Sequence, residues 1–168
     1  STQAESFDLD QPLSLRVAHG AAASPFAAAV QGKTYLCEEN PMGITRFSLE
    51  FGEDGAACFH YWNAQGEQRL AFGMQRNLYG KFPQRGYSDE YGNVHELTDF
   101  RYDCAASAGW IEPQKLQLQV QIIDRYFGGL TITFGFVDET LVGVRMVKAA
   151  EDFLNEYEGW MVGHLSGN

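Results

Sequence analysis

Between Leu116 and Ile122 the chain alternates without exception: Leu116, Leu118, Val120 and Ile122 are apolar, and Gln117, Gln119 and Gln121 lie between them. A period of two places successive side chains on opposite faces of a strand, whereas a helix would scatter the same residues around its circumference. The segment therefore reads as a strand with one face in a core and the other in water.

The same period recurs from Lys33 onward. Phe47, Leu49 and Phe51 share one face of 44–51, with Arg46, Ser48 and Glu50 on the other. Gly52-Glu53-Asp54-Gly55 supplies a turn before Ala56–Trp62, and Asn63-Ala64-Gln65-Gly66 turns the chain into the next strand, a meander of hairpins. After Gly128-Gly129, Leu130, Ile132, Phe134 and Phe136 stand in register, and Val142, Val144 and Met146 follow a turn at Asp138-Glu139-Thr140. Strands are expected at 33–38, 44–51, 56–62, 67–73, 100–109, 115–125, 130–137 and 141–148, with a further one near 157–165. There is no long amphipathic helix in the pattern. The fold class is all-β: an antiparallel, up-and-down, lipocalin-like barrel of about eight to nine strands, whose closure removes exposed edges.

Two stretches lack the alternation. Residues 1–30 read as an interdomain linker in which Pro25 starts a short helical turn through Val30, leaving 31–168 as the barrel. Residues 75–99 carry Tyr79, Phe82, Tyr87 and Tyr91 with Arg76, Lys81 and Arg85. They read as a long aromatic loop that folds over a barrel end and plugs it, or that offers a ligand or partner surface. Trp62 and Trp110, at strand ends, are expected to cap the barrel, and Trp160 to help close it. Asp124-Arg125-Tyr126-Phe127 ends the glutamine strand as an edge of contact for another domain.

A chain of 168 residues, 45% apolar, can bury a core without staples. Twenty-two acidic residues against twelve basic ones give a net charge of −10, which repels phosphate backbones and anionic membrane surfaces. No apolar stretch approaches the roughly 20 residues that span a bilayer, so neither nucleic acid nor membrane is an expected partner. Cys37, Cys58 and Cys104 fit neither a disulfide framework nor a zinc motif and read as packed thiols.

The search for chemistry returns little. No serine is followed by lysine in the Ser-x-x-Lys spacing of penicillin-recognising hydrolases, although Tyr61-Trp62-Asn63 matches their short Tyr-x-Asn element. Gly32-Lys33-Thr34 lacks the earlier glycine of a phosphate loop, since position 27 is Ala. His19, His60, His95 and His164 are scattered, and adjacent acids such as Glu38-Glu39 and Asp89-Glu90 read as solvated charges. Neither a catalytic residue nor a metal or other cofactor is expected.

Four passages carry a family resemblance. Ala23–Tyr35 is a small-residue stretch ending in Gly-Lys-Thr-Tyr, and Glu38-Glu39-Asn40-Pro41-Met42-Gly43-Ile44 leads to a Phe-Ser-Leu-Glu-Phe strand. Ala106-Ser107-Ala108-Gly109-Trp110 precedes the glutamine strand, and Asn155-Glu156 with Glu158-Gly159 precedes the last. Over about residues 20–165 the chain resembles the C-terminal, lipocalin-like domain of bacterial β-lactamase-related serine hydrolases, departing from it around 83–103 where the connection is longer.

The resemblance implies a non-catalytic accessory domain that docks on an N-terminal serine hydrolase domain of the same parent chain, or shapes access to its site. It implies a bacterial source, and leaves cytoplasm and cell surface both open, as it does weak self-association of the isolated fragment. The other reading is a small-molecule-binding barrel of the carrier type. Contacts with a partner or ligand are expected at Tyr79, Phe82, Tyr87, Tyr91, Trp110, Tyr126 and Phe127.

Overall fold

In the computed structural model, which describes residues 15–85, 101–124, 127–149 and 153–167, the alternating segments form one ten-stranded sheet. The strands are β1 (Tyr35–Cys37), β2 (Arg46–Phe51), β3 (Ala56–Asn63), β4 (Gly66–Met74), β5 (Leu78–Arg85), β6 (Arg101–Glu112), β7 (Lys115–Ile123), β8 (Phe127–Asp138), β9 (Leu141–Ala149) and β10 (Gly159–Leu165). A single turn of helix, α1 (Ala27–Val30), precedes them where Pro25 and the alanines place it. Among the described residues no helix is long and apolar enough to cross a membrane.

The sheet is a meander closed on itself. Each strand pairs antiparallel with its sequence neighbour, and β1 meets β10 at Tyr35↔Leu165, Leu36↔His164 and Cys37↔Gly163. The exception is β4 and β5, which share no ladder; β4 instead touches β6 in parallel at Gly73↔Ser107 and Met74↔Ala108. The barrel is therefore closed but mixed.

β5 was not expected, because residues 75–99 read as loop. It runs inward at Gly80, which contributes no side chain, and its register with β6 shifts between Lys81 and Arg85. That interval contains Pro83, which has no N–H to donate, so an irregularity there is the physical form a strand with this proline takes.

The core is a thread of rings along the barrel interior. Phe26 meets Phe136 at 5.3 Å, Phe136 meets Tyr35 at 5.8 Å, and Tyr35 stacks on Phe47 at 5.4 Å. Phe47 then contacts Phe59 at 5.8 Å, and Phe134 wedges between them at 5.5 and 5.2 Å. Phe59 leads to Tyr61 at 4.5 Å, Tyr61 to Tyr157 at 6.3 Å, and Tyr157 to Phe82 at 5.2 Å. Offset and edge-to-face ring pairs of this kind add to the burial of their area. Leu116, Leu118, Val120 and Ile122 line the wall as the alternation requires, while Gln117 and Gln119 face outward and bond Thr133 and Thr131 across the strands.

The tryptophans divide. Trp110 is buried against Phe51 and caps the α1 end as expected. Trp62 does not cap: it is one residue beyond inward-facing Tyr61, so it points out and lies under the Arg46 guanidinium, 4.1 Å from ring centre. Trp160 is likewise outward, 64% exposed beside Arg145, and closes nothing.

Replacing Phe134, where the rings converge, with alanine should cost about 3–5 kcal/mol of unfolding free energy. Val137→Ala, at an exposed position on the same strand, should change stability by less than about 0.5 kcal/mol. Urea unfolding of both variants checks the contrast; equal costs would mean the ring thread does not hold the barrel.

Candidate functional site

Two phenol hydroxyls meet inside this apolar wall. Tyr61 faces inward because it shares the register of Ala57 and Phe59 on β3. Tyr157 arrives from the connection between β9 and β10, whose Phe153, Leu154 and Tyr157 are all buried. The hydroxyl oxygens lie 2.8 Å apart, buried, with either able to donate. A hydroxyl taken from water into such surroundings needs a partner, and each supplies the other's.

Burial pushes the Tyr157 hydroxyl up to about 12, against the opposing pull of its hydrogen bonds with Tyr61 and Asn63. Burial drives Tyr61 well above its ordinary range as well, helped by the neighbouring Tyr157. Both are neutral hydroxyls at physiological pH, fit to hydrogen-bond an oxygen but not to act as bases. Cys104 also faces inward from β6, 2% exposed, and burial moves its thiol from an ordinary 9.0 to about 12. Thiol nucleophiles need the opposite shift, so Cys104 is a packing group. Cys37 and Cys58 are also free and raised by burial, Cys37 to about 12.

Outside the barrel, His60 lies between Glu67 at 3.2 Å and Glu50 at 3.9 Å and packs tilted against Trp62, with ring centres 4.1 Å apart. This is a cross-strand surface cluster on β2, β3 and β4. No group of three or more His, Cys, Asp or Glu side chains among the described residues could hold a metal ion.

The residues expected from sequence to make contacts are not brought together. Tyr79 is 67% exposed on the outer face of β5, opposite Ala105. Phe82 is fully buried against Tyr157, and Trp110 lies toward the opposite end near Phe51. A ligand within the barrel would meet Phe82; a partner on the outside would meet Tyr79. The backbone of Phe127 pairs with Ile123 at the start of β8. Tyr87, Tyr91 and Tyr126 lie outside the described residues. The hydroxyl pair itself was not expected: Tyr61 drew notice as part of Tyr-x-Asn, and Tyr157 is 96 residues away in sequence.

Topology and interior define the class, a closed all-β barrel with a lipocalin-like fold. Among solved structures, the chain is similar to a fatty acid-binding protein in brain tissue of Drosophila melanogaster, with TM-score 0.50 and 8% identity, over 80% of this chain and 98% of that one. It is also similar to the fatty-acid-binding protein isolated from Manduca sexta, with TM-score 0.49 and 7% identity, over 82% and 99% of the two chains. At these identities the likeness is one of fold. No protein-family model matches the chain, and no curated protein matches it.

The raised groups make an alkaline prediction. In the unfolded chain Cys37 and Cys104 release protons near 9.0 and Tyr35 and Tyr157 near 10.0, whereas in the folded barrel all four do so only at about 12. Above pH 9 the unfolded state therefore binds fewer protons than the folded one, and stability falls as pH rises from about 9 to 12. Urea midpoints across that range should fall steadily, and a flat profile would contradict the burial described. Alkylation at pH 8 should be slower for the folded than for the unfolded chain.

Proposed function

We propose that the barrel binds a small, uncharged, largely apolar molecule carrying one hydrogen-bonding oxygen, held at the Tyr157 end. The observation that carries this is the Tyr61–Tyr157 hydroxyl pair, 2.8 Å apart within a wall of apolar side chains. The convergence of Phe47, Phe59 and Phe134 fills the middle of the barrel, which confines a ligand to one end. At that end the filling side chains Phe153, Leu154 and Tyr157 come from a connection, not from a strand. They can withdraw without breaking a ladder.

The similar Drosophila structure is named for binding a fatty acid, and that lends support to a small-molecule reading. The interior argues for a neutral ligand over a carboxylate. Among the described residues no arginine is buried in the barrel, and a carboxylate there without a cation would be strongly unfavourable. Lys148 shares the inward register of β9, but it bonds the Phe153 carbonyl at 3.4 Å and the Asn155 side chain.

A second reading, the accessory domain of a serine hydrolase, rests on the four resembling passages. Their residues do identifiable work in the fold. The Asn40 side chain bonds the carbonyls of Glu38 and Ile44 and the amides of Met42 and Ile44. Gly159, at φ 139°, leaves room for Pro41 and Met42. The passages thus bear on the kind of barrel more directly than on a docking partner. Assaying hydrolysis by a parent hydrolase with and without this domain tests that reading, which requires a changed substrate range or stability restored on mixing.

For the leading reading, a neutral solvatochromic dye is titrated into the full chain and displaced with a long-chain alcohol or its fatty acid. The alcohol should displace at lower concentration, and Tyr61→Phe should weaken its binding by about fivefold to tenfold, the worth of one hydrogen bond. Absence of saturable binding by the folded protein would overturn the proposal.

A further inference from the structure

The missing ladder between β4 and β5 is a seam with a built fastening. β4 touches β6 at Ser107 and Ala108, whereas β5 lies antiparallel along Ala106 to Asp103, so the two strands diverge as a V from an apex at residues 75–77. Leu70 and Phe72 on one arm and Phe82 on the other are buried, so the V is covered from solvent. Phe82 packs on Tyr157, and Tyr61 pairs with Gln68 of β4, so the seam opens onto the hydroxyl pair.

The apex is strained and held from outside. Gln75 adopts φ 58°, a left-handed conformation that is unfavourable for a residue other than glycine. Asn77 Oδ1 is buried with no hydrogen-bond partner among the described residues. Residues 16–21 cross over this point as a strap. The Gln75 side-chain amide donates to the Ala18 carbonyl at 2.6 Å, and that of Asn77 to the Arg16 carbonyl at 3.1 Å. Gln121 of β7 binds the same residue twice, donating to the Arg16 carbonyl at 2.8 Å and accepting from its amide at 3.1 Å.

Farther along, the Ala18 amide donates to the Ser107 hydroxyl at 2.9 Å, and Ala21 exchanges backbone bonds with Trp110 at 2.9 and 2.8 Å. Gly109 lies directly beneath: a Cβ there would stand 2.0 Å from the His19 carbonyl oxygen. All these bonds land on strap backbone, so the strap is recognised as an extended chain and its side chains are left free of these contacts.

We propose that residues 16–21 are a latch on the β4–β5 seam, and that its release lets β5 part from β4 to admit the ligand. The latch stands on the geometry above; the admission of ligand rests on the small-molecule reading. Besides the strap and the two-residue β4–β6 bridge, the apex is held by the Gln75 amide on the Ala108 carbonyl at 2.8 Å and the Arg76 guanidinium on the Asp54 carbonyl at 3.2 Å, bonds that tie it to the β6 and β4 side and leave β5 to part from the seam. Tight closure over the hydroxyl pair and access to it are then two positions of one seam.

The test uses the full chain with Gln75→Ala, which removes one fastening bond, and Gly109→Ala, whose methyl displaces the strap. Amide exchange at Gly73, Met74 and Leu78–Lys81 should accelerate by about fivefold or more, with the β7–β8 ladder unchanged. In stopped flow, association and dissociation of the neutral dye should both quicken by a similar factor. Exchange that rises everywhere or nowhere overturns the latch. Loosened β5 amides with unchanged dye rates overturn entry by the seam. Dye binding absent from every variant while β5 still loosens overturns the small-molecule reading and leaves the latch standing.

Discussion

Phe47 and Phe59, from the neighbouring strands β2 and β3, meet Phe134 of β8, four places from β2 in the sheet order, with ring centres 5.2 to 5.8 Å from one another. A closed sheet must fill the volume it encloses, and these rings do so at mid-barrel, leaving the two ends different. Toward α1 the thread passes through Tyr35, whose hydroxyl donates to the Glu139 carbonyl at 2.7 Å, and ends in Phe136 and Phe26. Toward β5 it ends in Tyr61 and Tyr157, where two hydroxyls satisfy each other. The two ends thus differ in how their hydroxyls are satisfied, by a backbone carbonyl at Tyr35 and by each other at Tyr61 and Tyr157.

That asymmetry matches the mechanical one. The ladder is continuous around the barrel except between β4 and β5, and the interruption faces the hydroxyl end. The N-terminal strap crosses the apex of the interruption and bonds to it through backbone atoms. Residues that read as a plain linker are therefore part of the closure, and glycine at 109 is required by how closely the strap approaches. On the proposed reading, stability, access and the placement of the polar pair depend on the same contacts.

Much of the barrel was legible because alternation is local. Leu116–Ile122 and Leu130–Phe136 announce their faces, and Gly55 at φ 81° and Gly66 at φ 107° sit in turns where the sequence places them. β5 was not legible, since Gly80 leaves a gap in its inward pattern and Pro83 interrupts its pairing. Trp62 was misplaced although the parity of Phe59 and Tyr61 already turns it outward; its size suggested a cap, and its register decides otherwise. The hydroxyl pair lay beyond reach, because no period links Tyr61 to a residue in an irregular connection on the far side of the chain. Tyr79 and Phe82, three residues apart, face opposite sides of β5, which shows why an aromatic-rich stretch is not by itself a surface.

On the proposed reading, the Tyr157 end receives a neutral molecule while the ring thread stays in place. Methyl and aromatic NMR shifts of the full chain, followed during titration with a long-chain alcohol, test this most directly. Saturable shifts are expected at Tyr61, Phe82, Leu154 and Tyr157, with Phe136, Val142 and Leu116 unmoved. Shifts confined to outward residues such as Trp160 and Val137, or none at saturating alcohol, would contradict it.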